Sequence, residues 1–528
     1  MPSRTRRFFL NALSLTATAF ALRGVSVLFN IYVSSKAGSE AMGLFSLLGS
    51  IYGFSMTIAM SGINLGTTKL VSEALAIGDS KSAKRTVKHA LTVCSITGMV
   101  ATVLLLSLSK PLALNILGDT RAIRPLRILA VTLVPVALSS CLSGYFTAVR
   151  RVKLNAAFGI VAQGVKICAT ILILSFFVNL GTEQACIALV LGGAIAEFAS
   201  LALSFLLYLH DRKKLKSTHK IETETKGITK NLLAITLPVT VSACIRSALS
   251  MVQHILIPKG IHKSGKSWSA ALSSYGALHG MAMPLLLFPS ALLIAFSGLL
   301  VPEISECCAQ NDKARLKRTA YRTLSLSLFF SIGVSGIMLF FSNELGTLFY
   351  KSTETARYIR LLAPLIPVMY IDSAVDAILK GSGHHVYSMN VNIADTLTAC
   401  LFAIILIPKI GIMGYVISIY ATEILNTTLS LIKMISISNI RPKIFKQVFL
   451  PILCIIGSTN ASRIILNLLP RSLPDELTLT VGIVLSSLIY FSALFLTKTV
   501  GGEEREFLNA SLFSEKNKKI TSLTHKTN

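Results

Sequence analysis

The chain has 528 residues, of which 52% are hydrophobic and 14% are charged, and its mean hydropathy is +0.67. Soluble domains carry about 25% charged residues, so this composition excludes an ordinary soluble protein and indicates an integral membrane protein. The net charge of +27 would suit nucleic-acid binding. However, no basic stripe carries interleaved aromatic residues, and we expect no nucleic-acid partner.

Apolar runs of about 20 residues recur along the whole chain, and this length crosses a bilayer as a helix. Helices are expected because lipid cannot satisfy the open backbone groups of irregular structure. The alternating pattern of an outer-membrane barrel is absent. We therefore predict an all-α membrane protein with about fourteen transmembrane helices, near residues 8–33, 41–63, 90–109, 125–148, 155–178, 185–209, 231–257, 274–300, 323–342, 356–379, 388–407, 412–432, 446–466 and 477–497.

The connections between these segments are unevenly charged. If the N-terminus is inside, most Lys and Arg residues fall on the cytoplasmic side, which fits the positive-inside rule with both termini cytoplasmic. Attraction to anionic membrane lipids accounts for the basic loops. The N-terminal arginines and the apolar run after them could also be a secretion signal. Apolar character continues past Arg23 to Val33, which favours an uncleaved first helix.

Two stretches of the chain repeat each other. Lys69-Leu-Val-Ser-Glu73 is similar to Leu299-Leu-Val-Pro-Glu303, and Gly78–Thr86 is similar to Asn311–Thr319. Both pairs lie at equivalent places after the second helix of a half. We predict two six-helix repeats that run in the same direction, related by a pseudo-two-fold axis along the membrane normal, plus two C-terminal helices.

The duplication gives a domain organisation. We expect an N-terminal six-helix half at 1–210, a basic cytoplasmic linker at 211–230, a C-terminal six-helix half at 231–435, two extra transmembrane helices at 436–500 and a polar cytoplasmic tail at 501–528.

Two arginines lie near the middle of apolar segments, at corresponding places in the two repeats. Arg23 is in the first segment and Arg246 in the seventh. An Arg in the bilayer costs about 2.5 kcal/mol even on the lenient insertion scale, so such a residue faces the protein interior or a wet cavity. The pair predicts a central, anion-accepting cavity, and hence transport. Alternatively, each Arg forms a structural ion pair with an acid, for which the candidates are Glu197, Asp372, Asp376, Asp395 and Glu423.

Other charged residues in the membrane have weaker predictions. Asp372 and Asp376 are four residues apart and share one helix face. Together with Lys166, Glu197, Asp395 and Glu423 they are candidates for ion coupling or for balancing the arginines. Two other membrane residues, His254 and His279, are interpreted as packing residues.

Glu73 and Glu303 lie near cytoplasmic helix ends. They are candidates for a gate closed by salt bridges between the halves. The alternative is a solvated charge.

The sequence carries no recognisable motif of an enzyme, a metal site or a nucleotide-binding site. The nine cysteines show no metal spacing with His, and no phosphate-binding glycine loop or catalytic triad pattern is present. We expect no enzyme activity, no metal and no cofactor.

The stretch from Ser61 to Glu73, followed by Ala-Leu-Ala-Ile-Gly-Asp, resembles the signature of the stage V sporulation protein B and polysaccharide biosynthesis family. This family belongs to the multidrug/oligosaccharidyl-lipid/polysaccharide flippase superfamily. Leu299–Glu306 is similar to it as well. The resemblance implies a flippase of the bacterial plasma membrane, related to the lipid II flippase and linked to the spore cortex. The chain departs from the family at Asn64, where proline is common, and in the fifth helix, which often carries Glu-Gln where this chain has Gln163 and Lys166. It departs from the lipid II flippases, which carry an Arg in the second helix, because Ile51–Ser61 has none.

The predicted function is a flippase for a polyisoprenyl-diphosphate-linked saccharide. The planar fork of Arg binds phosphate oxygens in pairs, and it stays charged. One alternative is a multidrug or organic-cation exporter. Binding a cation calls for carboxylates in the cavity, whereas the first helix offers Arg23 and no acidic residue. The other is a scaffold that does not transport and recruits cell-wall synthesis enzymes.

Overall fold

The computed structural model describes residues 2–60, 62–177, 181–214, 227–440, 443–468 and 474–497, and within these ranges it describes every side chain except those of 2–19, 152–153, 213–214, 296 and 298–299. All regular elements of the described part are helices. They are α1 Pro2–Met60, α2 Ile63–Ala76, α3 Ser80–Pro111, α4 Ile123–Val131, α5 Leu133–Ala148, α6 Val152–Phe177, α7 Thr182–Lys214, α8 Ile228–Lys263, α9 Trp268–Tyr275, α10 Met283–Leu287, α11 Ser290–Ala309, α12 Lys313–Phe340, α13 Ser342–Glu344, α14 Thr353–Leu362, α15 Ile366–Gly381, α16 His385–Ile405, α17 Ile407–Ile410, α18 Ile412–Ser438, α19 Leu450–Leu468 and α20 Asp475–Leu496.

Thirteen helical stretches of the described chain are long and apolar enough to cross a membrane. The first of them, Phe20–Ala76, has 57 residues. As one straight helix it would be about 85 Å long, far beyond the roughly 30 Å of a bilayer core. It is divided instead at Gly38, where φ is 80° and ψ is 170°, so this stretch holds the first two predicted segments. The prediction of an all-α membrane protein is confirmed, and the predicted number of crossings agrees with the observed stretches.

The two matched turns of the sequence repeat have the same local geometry. Gly78 and Asn311 both adopt positive φ, of 83° and 54° respectively. Asp79 and Asp312 follow them, and each carboxylate accepts hydrogen bonds from backbone N–H groups in the first turn of α3 or α12. A carboxylate is a favoured N-cap because it satisfies donors that have no partner within the helix.

Tertiary hydrogen bonds recur at the same displacement along the chain as these turns. Thr102 Oγ1 donates to the Ala130 carbonyl at 2.9 Å, and Ser335 Oγ donates to the Ala363 carbonyl at 2.8 Å. A second such pair joins Asn64 to Ser140 and Ser297 to Ser373. These local matches support the duplication. The arrangement of two complete halves about an axis remains a prediction.

The helices pack into two compact units. The first comprises Met1–Ala291, Phe349–Thr355 and Asn392–Thr422, and the second comprises Leu292–Leu348, Ala356–Val391 and Glu423–Asn528. The predicted boundaries at 210, 230, 435 and 500 follow the repeat rather than this packing, and they stay predictions. Residues 215–226 of the linker and the whole tail from 501 lie outside the described residues.

Small residues let α1 approach the chain after α8 closely. A Cβ at Gly276 would lie 1.9 Å from the Ser39 carbonyl oxygen, and one at Gly43 would lie 2.0 Å from that of Leu272. The hydroxyls of Ser39 and Ser273 are hydrogen-bonded at 2.6 Å in the same contact. Glycine and serine at such positions are typical of helix contacts in membranes, where close backbone approach replaces the hydrophobic effect.

In the second unit, α19 and α20 pack against α12. The Tyr490 hydroxyl donates to the Phe329 carbonyl at 2.7 Å, and Gln447 Nε2, just before α19, donates to Ser325 Oγ at 2.6 Å. The two helices that lie beyond the predicted repeats are therefore anchored by buried hydrogen bonds.

Candidate substrate-binding site

Arg23 lies on the first part of α1, and its side chain is exposed. The neighbouring backbone contacts the segment between α10 and α11. A Cβ at Gly24 would lie 3.5 Å from the Phe288 ring, and the rings of Phe20 and Phe288 are 5.2 Å apart. Arg23 therefore belongs to a first-repeat helix that contacts a second-repeat segment.

Arg246 lies on α8, and its side chain is also exposed. The next residue, Ser247, accepts a hydrogen bond from Thr57 of α1 at 3.1 Å. Helices α1 and α8 pack against each other within the first unit. Both arginines thus lie on helices of the first unit, and the contact with α8 at Thr57 lies beyond Gly38 on α1.

Neither guanidinium forms an ion pair or hydrogen bond with any described residue. The ion pairs that the sequence offered as an alternative are not seen in the described part of the chain. An exposed Arg halfway along a membrane helix is costly against lipid and is accommodated against water. As far as the described residues go, the donors of both guanidinium groups are available to a bound anion.

Two candidate residues of the first repeat lie near each other. Lys166 on α6 and Glu197 on α7 are close enough for their charges to interact, but they form no direct ion pair. The Glu197 charge also reaches Tyr52 of α1, whose hydroxyl lies 2.6 Å from Thr132 Oγ1. Lys166, Glu197 and Tyr52 are thus polar residues of three helices of the first unit whose charges and dipoles influence one another.

The acidic candidates of the second repeat have separate surroundings. On α15, Asp376 pairs with Lys380 and accepts a hydrogen bond from Ser388, whereas Asp372 accepts one from Asn426 Nδ2 at 3.5 Å. Glu423 on α18 also has an interaction partner. Asp395 on α16 differs, because its Oδ1 is buried without a hydrogen-bond partner among the described residues.

The two candidate gate residues are not equivalent. Glu73 on α2 is exposed and has no ion pair with a described residue. Glu303 on α11 lies 4.0 Å from an Arg315 nitrogen and accepts a hydrogen bond from Thr319 at 3.5 Å, both on α12. Its partners come from its own repeat, and the gate between the halves remains a prediction.

If Glu73 does close the cytoplasmic side in another state, Glu73→Gln should shift the protein toward the inward-open state, because the amide cannot replace a charged partner. Cysteine cross-linking across the cytoplasmic ends of α2 and α11 would measure the shift, with Glu306→Gln as the control. Glu306 pairs with Arg315 at 3.2 Å and is exposed. An unchanged cross-linking yield for Glu73→Gln would contradict the gate.

Sequence reasoning missed an ion-pair network on the side predicted to be external. Arg121 NH1 donates to Glu40 at 2.8 Å, and Arg121 NH2 donates to Asp119 at 2.8 Å. The indole N–H of Trp268 donates to the same Asp119 carboxylate at 3.0 Å. The network therefore ties the turn after Gly38, the turn after α3 and the start of α9 together.

Asp119 is the centre of this network, and 4% of its side chain is exposed. Burial alone would raise the pKa of this carboxyl, but the hydrogen bonds from Arg121 and Trp268 outweigh burial and hold the pKa below its usual range. In the sequence Asp119 is recognisable only as a turn residue, and nothing there connects it to Trp268.

Comparison with known proteins gives a consistent result. Residues 9–308 match the family of polysaccharide biosynthesis proteins, and residues 265–405 match the MatE family. The stage V sporulation protein B of Bacillus subtilis (strain 168) is 28% identical over 432 residues, which are 80% of this chain and 82% of that protein. The lipid II flippase MurJ of the same organism is 25% identical over 370 residues, which are 64% of this chain and 65% of that protein.

The fold is also that of a solved lipid II flippase MurJ in an inward closed conformation. The TM-score is 0.68 at 13% identity, with 92% of this chain and 99% of that chain covered. The matched families are flippases and transporters, not enzymes.

Proposed function

We propose that this chain, which belongs to the family of polysaccharide biosynthesis proteins, moves a polyisoprenyl-diphosphate-linked saccharide across the bacterial plasma membrane. The mechanism is alternating access between the two helical halves. The class, a multi-pass flippase-type transporter of the multidrug/oligosaccharidyl-lipid/polysaccharide flippase superfamily, follows from the family and the fold. The cargo is our proposal.

The observation that carries the proposal is a pair of exposed arginines, neither of which forms an ion pair or hydrogen bond with a described residue. A lipid-linked saccharide has a diphosphate between its isoprenoid tail and its sugars, and this group must be shielded from hydrocarbon during the crossing. Each guanidinium can hold two phosphate oxygens, and Arg23 and Arg246 come from helices of different predicted repeats that belong to the same compact unit. Glu197 and Lys166 of the same unit carry hydrogen-bonding groups suited to sugar hydroxyls.

Similarity to the stage V sporulation protein B and the lipid II flippase suggests a peptidoglycan precursor, used for the spore cortex, as the saccharide. The direct test is reconstitution of the chain in vesicles that hold a fluorescent lipid II analogue in one leaflet. We expect faster appearance of the analogue in the opposite leaflet than in empty vesicles. A rate equal to that of empty vesicles would contradict the flippase.

A second candidate, export of drugs or organic cations, is favoured by the MatE match at residues 265–405 and by the unsatisfied carboxylate of Asp395. The same vesicles loaded with a lipophilic cation distinguish the two. Cation transport without movement of the lipid analogue would establish the exporter. If neither substrate moves, the remaining candidate is a scaffold for cell-wall synthesis enzymes.

The orientation is a further part of the proposal. The charge bias places both termini and the loop around Ser217 in the cytoplasm, and it places the Lys259–Lys266 connection outside. In intact cells without accessible native thiols, an impermeant reagent should label a cysteine placed at Ser264 but not one placed at Ser217. The opposite pattern would invert the topology.

A further inference from the structure

A cluster of two histidines and two tyrosines lies inside the first unit. His254 on α8 and His279, in the π-helical stretch Gly276–Ala282, have ring centres 4.5 Å apart. Tyr275 stacks on His279 at 5.2 Å, and its hydroxyl lies 3.0 Å from His254 Nδ1. The Tyr415 hydroxyl of α18 lies 3.4 Å from His279 Nδ1.

The cluster leaves a proton-accepting position on each ring. Both Nδ1 atoms face a tyrosine hydroxyl, and neither Nε2 atom has a hydrogen-bond partner among the described residues. Tyr275 is fully buried and Tyr415 is 4% exposed, whereas both imidazoles are only partly buried. The two tyrosine hydroxyls therefore hold one nitrogen of each ring.

Among the described residues, no charged side chain hydrogen-bonds to either imidazole. Charged residues on the elements around the cluster, which are α1, α8, the turn after α8, α14, α16, α17 and α18, include Arg23, Lys36, Glu40, Arg246, Lys259, Lys263, Lys266, Glu354, Asp395, Lys409, Glu423 and Lys433. Glu354 reaches the cluster indirectly, since it accepts a hydrogen bond from Ser274, the neighbour of Tyr275.

We propose that His254 and His279 form a proton-binding site that takes up one proton. The proton binds whichever nitrogen of one ring carries no hydrogen, so both nitrogens of that ring are then N–H donors and its Nδ1–H donates to the tyrosine oxygen. A second proton is opposed because two imidazolium rings in contact repel each other, as two like charges that share one site do. The pair thus titrates as a unit.

The site is connected to the helix that carries Arg23. Gly280, which follows His279, accepts a hydrogen bond through its carbonyl from Asn30 Nδ2 on α1 at 3.2 Å. A Cβ at Gly280 would lie 3.1 Å from Ser46 Oγ of α1, so this contact has little free space. π-helical turns are frequent at functional sites, and a charge placed on His279 disturbs this one where it meets α1. In this respect the inference rests on the proposed function, since it couples proton binding to the substrate helix.

Proton binding itself can be measured without any substrate. The full chain with ¹⁵N-labelled histidine, in detergent, is titrated by NMR from about pH 8 to about pH 4, the range in which imidazole changes charge. We expect one shared proton step for His254 and His279, which His254→Gln or His279→Gln abolishes. His385→Gln is the control, because His385 is exposed at the start of α16 and its loss should leave the shared step unchanged.

Tyr415→Phe keeps the ring and its packing but removes the hydroxyl. It should change the pH at which His279 binds its proton, and this can be measured in folded protein even if the Gln variants fold poorly. Independent titration of the two rings, or no protonation of either across this range, would overturn the proposal. A shared step in protein that does not move the lipid analogue would retain the proton site and reject the proposed cargo.

Discussion

The double variant Arg23→Gln, Arg246→Gln is expected to lose export of the lipid-linked saccharide while the protein remains folded in the membrane. Both guanidinium groups are exposed and have no protein partner among the described residues, so their removal breaks no internal contact.

The size of the effect follows from the hydrogen bonds that are lost. A hydrogen bond to a charged group contributes about 1.5–3 kcal/mol, so each single variant should slow transport by roughly ten- to a hundredfold. Arg→Lys should restore part of the rate, because it keeps the charge and loses the paired donors. The measurement is the rate of leaflet exchange of the lipid analogue at equal amounts of reconstituted protein.

Arg463→Gln is a matched control. Arg463 lies on α19 in the second unit, where its guanidinium stacks over the Phe340 ring at 5.8 Å. Like the test variants, Arg463→Gln removes one guanidinium from a membrane helix. We expect normal transport by this control, because Arg463 lies beyond the predicted repeats. Wild-type export by the double variant would mean that neither arginine binds substrate, and the anionic cargo would then have to be abandoned.

The parts of the fold that sequence predicted are those with a local signal. Hydropathy located the membrane helices because each must cover its own backbone in lipid. The matched stretches around Asp79 and Asp312 were recognised because their residues are contiguous in both repeats, but the caps that these carboxylates form were not predicted. The first two predicted transmembrane segments were separated correctly from the sequence. In the structure both belong to α1, which is interrupted between them at Gly38.

The rest depends on contacts between distant residues. His254 and His279 each look like an isolated packing residue, and only the approach of α8 to the Gly276–Ala282 stretch places their rings together. Arg121 and Asp119 look like solvated loop charges, but the fold buries the carboxylate. Hydropathy cannot predict such clusters because every member taken alone is compatible with a simpler environment.

Arg121→Gln is expected to cause the second large effect, a loss of about 3 kcal/mol of stability on the outer side, since removing one member of a buried ion pair leaves an uncompensated charge. Asp119 would keep only the indole N–H of Trp268 and backbone donors. The contribution has a defined pH dependence. Because the folded-state pKa of Asp119 is lowered, the stabilisation is present above the unfolded value of 3.8 and is lost as the pH falls through the folded value.

Trp268 is the single tryptophan of the chain, so its fluorescence reports on this network alone. Arg121→Gln should lower the melting temperature and shift the emission to longer wavelength, because the loosened network lets water reach the Asp119 carboxylate and the indole that donates to it. Arg124→Gln is the matched control. The Arg124 side chain is 71% exposed, and its Nε lies 3.7 Å from Glu183 Oε1. Surface pairs of this kind contribute about 0–1 kcal/mol, so its removal should change neither signal appreciably. Equal, small effects of both substitutions would show that the outer network does not hold these turns together, and that the Arg121 charge is as replaceable as that of Arg124.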